Sequence, residues 1–192
     1  MNISNLPLVT TIAPSDLIVC NAIISGVETT VLINGTNLKT ALGIGAPGSV
    51  VALKSVTINA NVSIASGTWT DVSGLSITYT PTSASNNIFV MASVQAGSVP
   101  LTNGAGIRLV RNSTPIGVGT GVADVVGADA TASDAFYLFS LSSQVLDSPA
   151  TTSSTTYKVQ AWCLGAGSIN INVSSGGQVG GASTLTIMEV VP

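Results

Sequence analysis

The chain has 192 residues, 45% of them hydrophobic and only 7% charged, with five basic against eight acidic side chains and a formal net charge of −3. That length allows one ordinary domain with an appendage or two small domains, and the sparse, acidic charge leaves no basic patch to neutralise nucleic-acid phosphates. Histidine is absent, which removes the usual general base, the Ser–His and Cys–His nucleophile pairs and most zinc sites.

The apolar content is mostly Val, Ile, Ala and Leu interleaved with Thr, Ser, Asn and Gly. Branched side chains beside small polar ones suit a pleated sheet with distinct faces, so the chain reads as all-β. Residues 1–42 form a first zone. Leu17-Ile18-Val19-Cys20 and Ala22-Ile23-Ile24 make one strand, Ser25-Gly26 a turn, and Val27 to Ile33 a returning strand. Thr36 can cap a short helix from Asn37 to Leu42, which Gly43 would end. A lone hairpin is marginal in water, so this zone is expected to dock on something larger.

Residues 43–49, Gly-Ile-Gly-Ala-Pro-Gly-Ser, read as a hinge. They also spell G-x-G-x-x-G, but a dinucleotide site needs a strand before the motif and a helix opening on it. Here a helix-like segment precedes, an apolar strand follows and Pro47 sits inside. The hinge reading holds.

Residues 50–192 carry short strands separated by turn signals. Val51 to Ile58 is the first, followed by short hairpin-like pieces around Trp69 and, later, Ile116. Leu75, Ile77 and Tyr79 alternate with Ser76, Thr78 and Thr80, as do Ile169, Ile171 and Val173 with Asn170, Asn172 and Ser174. Two strands are apolar on both faces: Ile88, Val90, Ala92 and Val94 interleave with Phe89 and Met91, and Phe136 and Leu138 with Tyr137, Phe139 and Leu141. A sheet covers one face, and the second face requires another cover. Phe89, Met91, Phe136, Tyr137, Phe139 and Leu141 are therefore the candidates for core or subunit interface. Ile107 to Arg111, Thr156 to Leu164 and Ser183 to Val191 complete a set of about eight to ten strands, suited to a jelly-roll sandwich. Polar loops are expected at Gly97–Gly104, Gly121–Ser133 and Ser142–Thr155.

Candidate chemistry is thin. Paired carboxylates for glycoside hydrolysis stand about 5 to 9.5 Å apart; the acids here are scattered, and only folding could join a pair such as Asp71 and Asp147. Asp124, Asp129 and Asp134 share a Gly/Ala-rich stretch, but their spacing matches no calcium loop, and they read as solvated loop acids. Arg108 and Arg111 point to opposite faces of a strand and mark its end and rim; the competing reading sends one across a subunit boundary to an acid such as Glu189. Trp69 and Trp162 fit core or interface, or a sugar platform. Cys20 and Cys163 match no metal or redox spacing and read as small strand hydrophobes. No catalytic residue, metal or cofactor is expected.

No run of about 18 apolar residues suggests a spanning helix, and the N-terminus lacks a basic start and a long apolar core, so neither membrane insertion nor a secretory signal is expected. The five Asn-x-Ser/Thr sequons, at Asn2, Asn34, Asn61, Asn112 and Asn172, reflect composition.

Two stretches carry a family likeness. Ile3-Ser4-Asn5-Leu6-Pro7 followed by Asp16-Leu17-Ile18-Val19 resembles the particle-proximal segment of bacteriophage fibre and surface proteins, notably those of phages of cyanobacteria and marine bacteria. Ile107 to Asn112, Pro115-Ile116-Gly117, Val145 to Pro149, Thr155 to Ala161 and Ser183 to Val190 are similar to the C1q/TNF-like jelly-roll heads of phage virions. The resemblance implies a homotrimeric jelly roll fixed to the virion by its N-terminal segment, with Ile3, Leu6, Pro7, Leu17 and Ile18 as anchoring residues, and it brings no catalytic residue. It also implies synthesis in the host cytoplasm and partners among sister copies and the major capsid protein or another virion protein. With no heptads or repeats to build a shaft, a capsid decoration or cement protein is the leading function. A short tail or head fibre that binds a host glycan or receptor is the alternative.

Overall fold

Alternation of branched apolar and small polar residues predicts strands, and every regular element described is one. The computed structural model describes residues 45–65, 67–97, 105–119, 138–163, 168–174, 177 and 180–192, and the backbone alone at 17–24, 27–34, 98–99 and 126–128. The chain divides into two compact units, Met1–Ser49 and Val50–Pro192.

In the first unit, β1 (Leu17–Ile24) and β2 (Val27–Asn34) pair antiparallel from Leu17↔Asn34 to Ile24↔Val27. Only Ser25 and Gly26 separate the two strands in sequence. The expected hairpin is present; the helix expected at Asn37–Leu42 lies outside the described residues. Ala46 to Ser49 form a turn closed by the Ser49 amide donating to the Ala46 carbonyl at 2.9 Å. Pro47 followed by Gly48 at φ +82° suits a type II turn, whose third position requires positive φ.

The second unit contains β3 (Val50–Ile58), β4 (Val62–Ala65), β5 (Thr70–Tyr79), β6 (Asn87–Val99), β7 (Ala105–Arg111), β8 (Thr114–Ile116), β9 (Val126–Ala128), β10 (Phe139–Asp147), β11 (Thr155–Cys163), β12 (Ser168–Ile171) and β13 (Ser183–Val190). One sheet has the order β3-β13-β6-β12-β4, with β10 on the other edge of β6; the second runs β5-β11-β7-β8, with β9 also on β7. Four antiparallel pairings nest within one another: β3 with β13, β5 with β11, β6 with β10, and β7 with β9. These four alternate between the two sheets, and a fifth nested pairing, β4 with β12, adds to the larger one. That is a long hairpin rolled into a sandwich, the jelly roll.

The core lies between the sheets. Ile88, Val90, Ala92 and Val94 of β6 face Ile107 and Leu109 of β7 and Val159 and Ala161 of β11, with Leu75, Leu185 and Ile187 beside them, all buried. Strands β11 and β13 alternate buried and half-buried residues along their whole lengths. Gly97 is required by a close approach: a Cβ there would lie 2.3 Å from the Val173 carbonyl oxygen.

The expected loops are shorter than the sequence suggested. Gly97 to Val99 continue β6, and Val126 to Ala128 form β9. Ser142 to Asp147 belong to β10, which pairs with β6 from Phe139↔Ala96 to Asp147↔Ile88. The inward positions of that stretch are Ser143, Val145 and Asp147, too polar to read as a strand, but Asp147 finds inter-sheet partners that a sequence does not display. The strand expected around Phe136 begins at Phe139; residues 136 and 137 lie outside the described residues.

Candidate functional site

Register decides which outward side chains meet. On the outer face of the larger sheet, Leu53 of β3 stands opposite Met188 of β13, Met188 opposite Phe89 of β6, and Phe89 opposite Leu146 of β10. The result is an apolar row across four strands. Leu53 is 61% and Leu146 57% exposed, whereas Phe89 and Met188 are half-buried. Met91, 40% exposed, follows in the next row, flanked by Thr186 and Gln144. Ser55 ends that row, and beyond it the face is polar through Ser93 and Ser142, with a groove lined by Met91, Ser93, Ser142 and Gln144. Large apolar side chains on several adjacent solvent-facing strands mark an interaction surface more often than scattered ones do.

The six interface-or-core candidates therefore separate. Phe89 and Met91 lie on the outer face, while Leu141 is buried between the sheets and Phe139 packs against the core from the end of β10. Phe136 and Tyr137 lie outside the described residues, as do Ile3, Leu6 and Pro7. Leu17 and Ile18 open β1, described through its backbone.

Directly beneath the apolar row, the core ends in two buried carboxylates. Asp147 and Glu189 both pair with Ile88, one from each side of β6. Asp147 accepts from Arg111 Nη1 at 2.8 and 2.9 Å and from the Tyr157 hydroxyl at 2.8 Å. Glu189, 1% exposed, accepts from the Thr82 amide and hydroxyl and from Asn86 Nδ2, each at 2.8 Å, and from the Tyr79 hydroxyl. Each carboxylate thus receives a tyrosine hydroxyl from the opposite sheet, and a buried charge with several donors escapes the penalty of isolation. Burial acts to raise the Glu189 carboxyl, but the donors from Tyr79, Asn86 and Thr82 together hold it below its ordinary value. Tyr79 is pushed up to about 12 by burial and by its bond to Glu189, and Tyr157 is raised further by burial and Asp147.

These contacts go against the competing reading of the two arginines, in which one reaches Glu189 across a subunit boundary. Arg111 does not look outward for Glu189 on a neighbouring subunit; it pairs with Asp147 of its own chain, and Glu189 is fully engaged within the fold. Asp71 and Asp147 are not brought together as a catalytic pair either. Asp147 lies between the sheets and Asp71 lies on the outer face of the smaller sheet.

That outer face carries a second arrangement. Arg108, Gln160 and Asp71 occupy one row across β7, β11 and β5. Arg108 Nε donates to Gln160 Oε1 at 2.8 Å, Gln160 Nε2 donates to Asp71 Oδ1 at 2.7 Å, and Lys158 Nζ donates to Asp71 Oδ2 at 2.6 Å. Slight burial raises the Asp71 carboxyl, but the bonds from Lys158 and Gln160 outweigh it and leave the group lowered. The Arg108 guanidinium lies 4.2 Å from the centre of the Trp69 ring, and Trp69 stacks on Trp162 at 6.0 Å and 27°. Both tryptophans are half-buried at the sheet surface rather than in the core. The outward direction of Asp71 is not legible in the sequence, because it depends on a break in β5. Ser76 pairs with Lys158 and Asp71 with Gln160, so the stretch between them bulges, with Gly74 at φ +85°.

Among the described residues no group of three His, Cys, Asp or Glu side chains could hold a metal ion. Asp124, Asp129 and Asp134 lie outside the described residues. Cys163 is a buried thiol in β11, raised by its burial; Cys20 lies in β1.

No protein-family model and no curated protein matches the sequence. Among solved structures, the chain is similar to one of infectious bursal disease virus, Gx strain, with a TM-score of 0.37 and 12% identity over 91% of this chain and 41% of that one. It is also similar to a VP2 protein from T=1 particles derived from the same virus, with a TM-score of 0.38 and 13% identity over 97% of this chain and 44% of that one. The chain thus spans about two-fifths of the length of those structures. The jelly-roll assignment rests on the strand pairing itself.

Proposed function

We propose that this protein is a non-enzymatic structural subunit of a virus particle, assembling with copies of itself through the outer face of the larger sheet. The observation that carries the reading is the row Leu53–Met188–Phe89–Leu146, apolar across four strands and turned to solvent. A chain with 7% charged residues has few means to keep such a face soluble alone. A standard interface of about 800 Å² per partner, at about 25 cal/mol per Å² of apolar area, yields a gross gain on the order of tens of kcal/mol, much of it offset by lost freedom.

The finer reading follows the sequence resemblance. The protein is a bacteriophage capsid decoration or cement protein, a homotrimer with C1q/TNF-like knobs facing outward and residues 1–42 fixing it to the particle. Multivalent attachment would then offset the weakness of each single contact. The test is sedimentation of the full chain beside Phe89→Asp and Leu146→Asp. The wild type should sediment as a trimer and both variants as folded monomers. A monomeric wild type, or variants that remain trimeric, would count against the reading. Copy number per virion then separates decoration, present in many copies, from a fibre, present in few.

A further inference from the structure

We propose that copies of this chain join head to tail at their sheet edges, β10 of one copy pairing antiparallel with β3 of the next and Leu146 standing opposite Leu53. Resting on the self-assembly proposed above, but not on a virus particle, this arrangement names the strands that meet. Leu53 and Leu146 are the most exposed large apolar side chains among the described residues, at 61% and 57%. Phe89 and Met188, on the strands between them, are half-buried. Exposure thus grows toward the two ends of the row, where an added strand would cover it. An open edge also presents unpaired amide and carbonyl groups, which proteins blunt with short strands, bulges, proline or charge. Among the described residues, no strand pairs with the outer edge of β3 or of β10, and each is nine residues long. The other edges are blunted: β4 has four residues, β8 and β9 three each, and β5 bulges at Gly74. By contrast, β10 keeps an unbroken register with β6 from Phe139 to Asp147. The irregularity in β3 is confined to its start, opposite Glu189 and Val190.

Direction and register suit the pairing. Strands β3, β13, β6 and β10 alternate in direction across the sheet. The next copy's β3, laid beside β10 with its outer face on the same side, is therefore antiparallel to it. Hydrogen-bonded and non-hydrogen-bonded pairs alternate along a row of antiparallel strands. Across four strands, both end residues then turn their backbone groups toward the free edges, or both turn them away. Leu146 and Leu53 can thus face one another without a slip in register. Counting from that pair, Gln144 meets Ser55 and Ser142 meets Thr57 on the outer face. Apolar meets apolar, and polar meets polar. The charged residues of the two strands are Lys54 and Asp147, opposite in sign and diagonal to one another on the inner face. No like charges on the two strands come together. The apolar row then runs on from copy to copy, and a head-to-tail contact of this kind closes into a ring where its rotation permits.

Ser55→Cys and Gln144→Cys, both at exposed outer-face positions, read the seam directly. Within one chain the two positions lie in one row, three strand spacings of about 4.8 Å apart. That exceeds the Cα separation of about 4.4–6.8 Å that a disulfide spans, so any link between them joins two copies. Mixed and mildly oxidised, the two full-length single variants should give a linked dimer that neither gives alone. The double variant should give a ladder of larger species that reduction collapses, with the wild type, carrying Cys20 and Cys163, as the blank. No linked dimer from the mixture would overturn the seam. Equal linking by Gln144→Cys alone would overturn it too, since β10 would then meet β10. The cysteine pair is also placed in Phe89→Asp, which disturbs the apolar face but neither edge. Linking retained there upholds the seam whatever becomes of the face contact. A trimeric wild type whose double variant does not link overturns the seam and leaves the face contact standing.

Discussion

The Tyr157 hydroxyl donates to Oδ2 of Asp147 at 2.8 Å, tying β11 of one sheet to β10 of the other. Tyr79 and Glu189 form the matching tie between β5 and β13. Both carboxylates flank Ile88, so the sandwich is laced at the end that underlies the exposed apolar row.

Removing the first tie should be measurable without loss of the fold. Tyr157→Phe leaves Asp147 with Arg111 and should cost about 1–2 kcal/mol in urea unfolding. Arg111→Ala leaves the carboxylate buried without its cation and should cost more, about 2–4 kcal/mol after allowing for the partial exposure of the arginine. The opposite ranking would show that Arg111 is a rim residue with little bearing on stability.

Stability should fall at both ends of the pH range and stay level between. The Glu189 carboxyl is lowered in the fold, so its contribution is complete above the unfolded value near 4.5 and disappears as pH falls through the folded value. Tyr79 is raised to about 12, so its contribution is complete below about 10 and is lost as pH climbs through 12. With no histidine, no side chain of ordinary pKa titrates between about pH 5 and 8. Melting temperatures across pH should show two slopes around a plateau, and Glu189→Gln should flatten the acid slope.

The two faces of the larger sheet should respond differently to truncation. Leu141→Ala empties core space and should cost about 2–4 kcal/mol. Leu146→Ala, five residues along the same strand and turned outward, should change the stability of the single domain by less than about 0.5 kcal/mol while weakening self-association. Chemical denaturation paired with sedimentation reads both effects, and a large folding cost for Leu146 would mean that the outer row is part of the core.

Gly97→Ala should be destabilising by about 2–3 kcal/mol although glycine's freedom of φ is not at issue there. The added methyl would press on the Val173 carbonyl and on Ser174 Cα, backbone that cannot rotate aside. A variant as stable as the wild type would show that the segment after β12 can yield.

Much of the sandwich is legible in the sequence because period-two alternation survives where one face is wet. Leu75, Ile77 and Tyr79 turn inward as their spacing requires, and so do Ile169 and Ile171. The misses share one cause: long-range register. Asp147 makes its stretch look like a loop until Arg111 and Tyr157 arrive from the other sheet. The alternation of β5 breaks at Gly74, so Asp71 cannot be assigned a face by counting back from Leu75. The apolar row is equally hidden, since Leu53, Met188, Phe89 and Leu146 become neighbours only when four strands align. Trp69 and Trp162 were visible as candidates, but Arg108 and Gln160 join them only through the pairing of β7 with β11.

The outermost pair of the rolled hairpin has a mechanical corollary. Val50 and Val190 are cross-strand partners, so the sandwich is entered and left at a single point. Tension between those two positions would run across the β3–β13 ladder, opening it one rung at a time like a zipper, at low force. A load shared between that point and a far loop would instead strain many rungs at once, and the same domain would resist it stiffly.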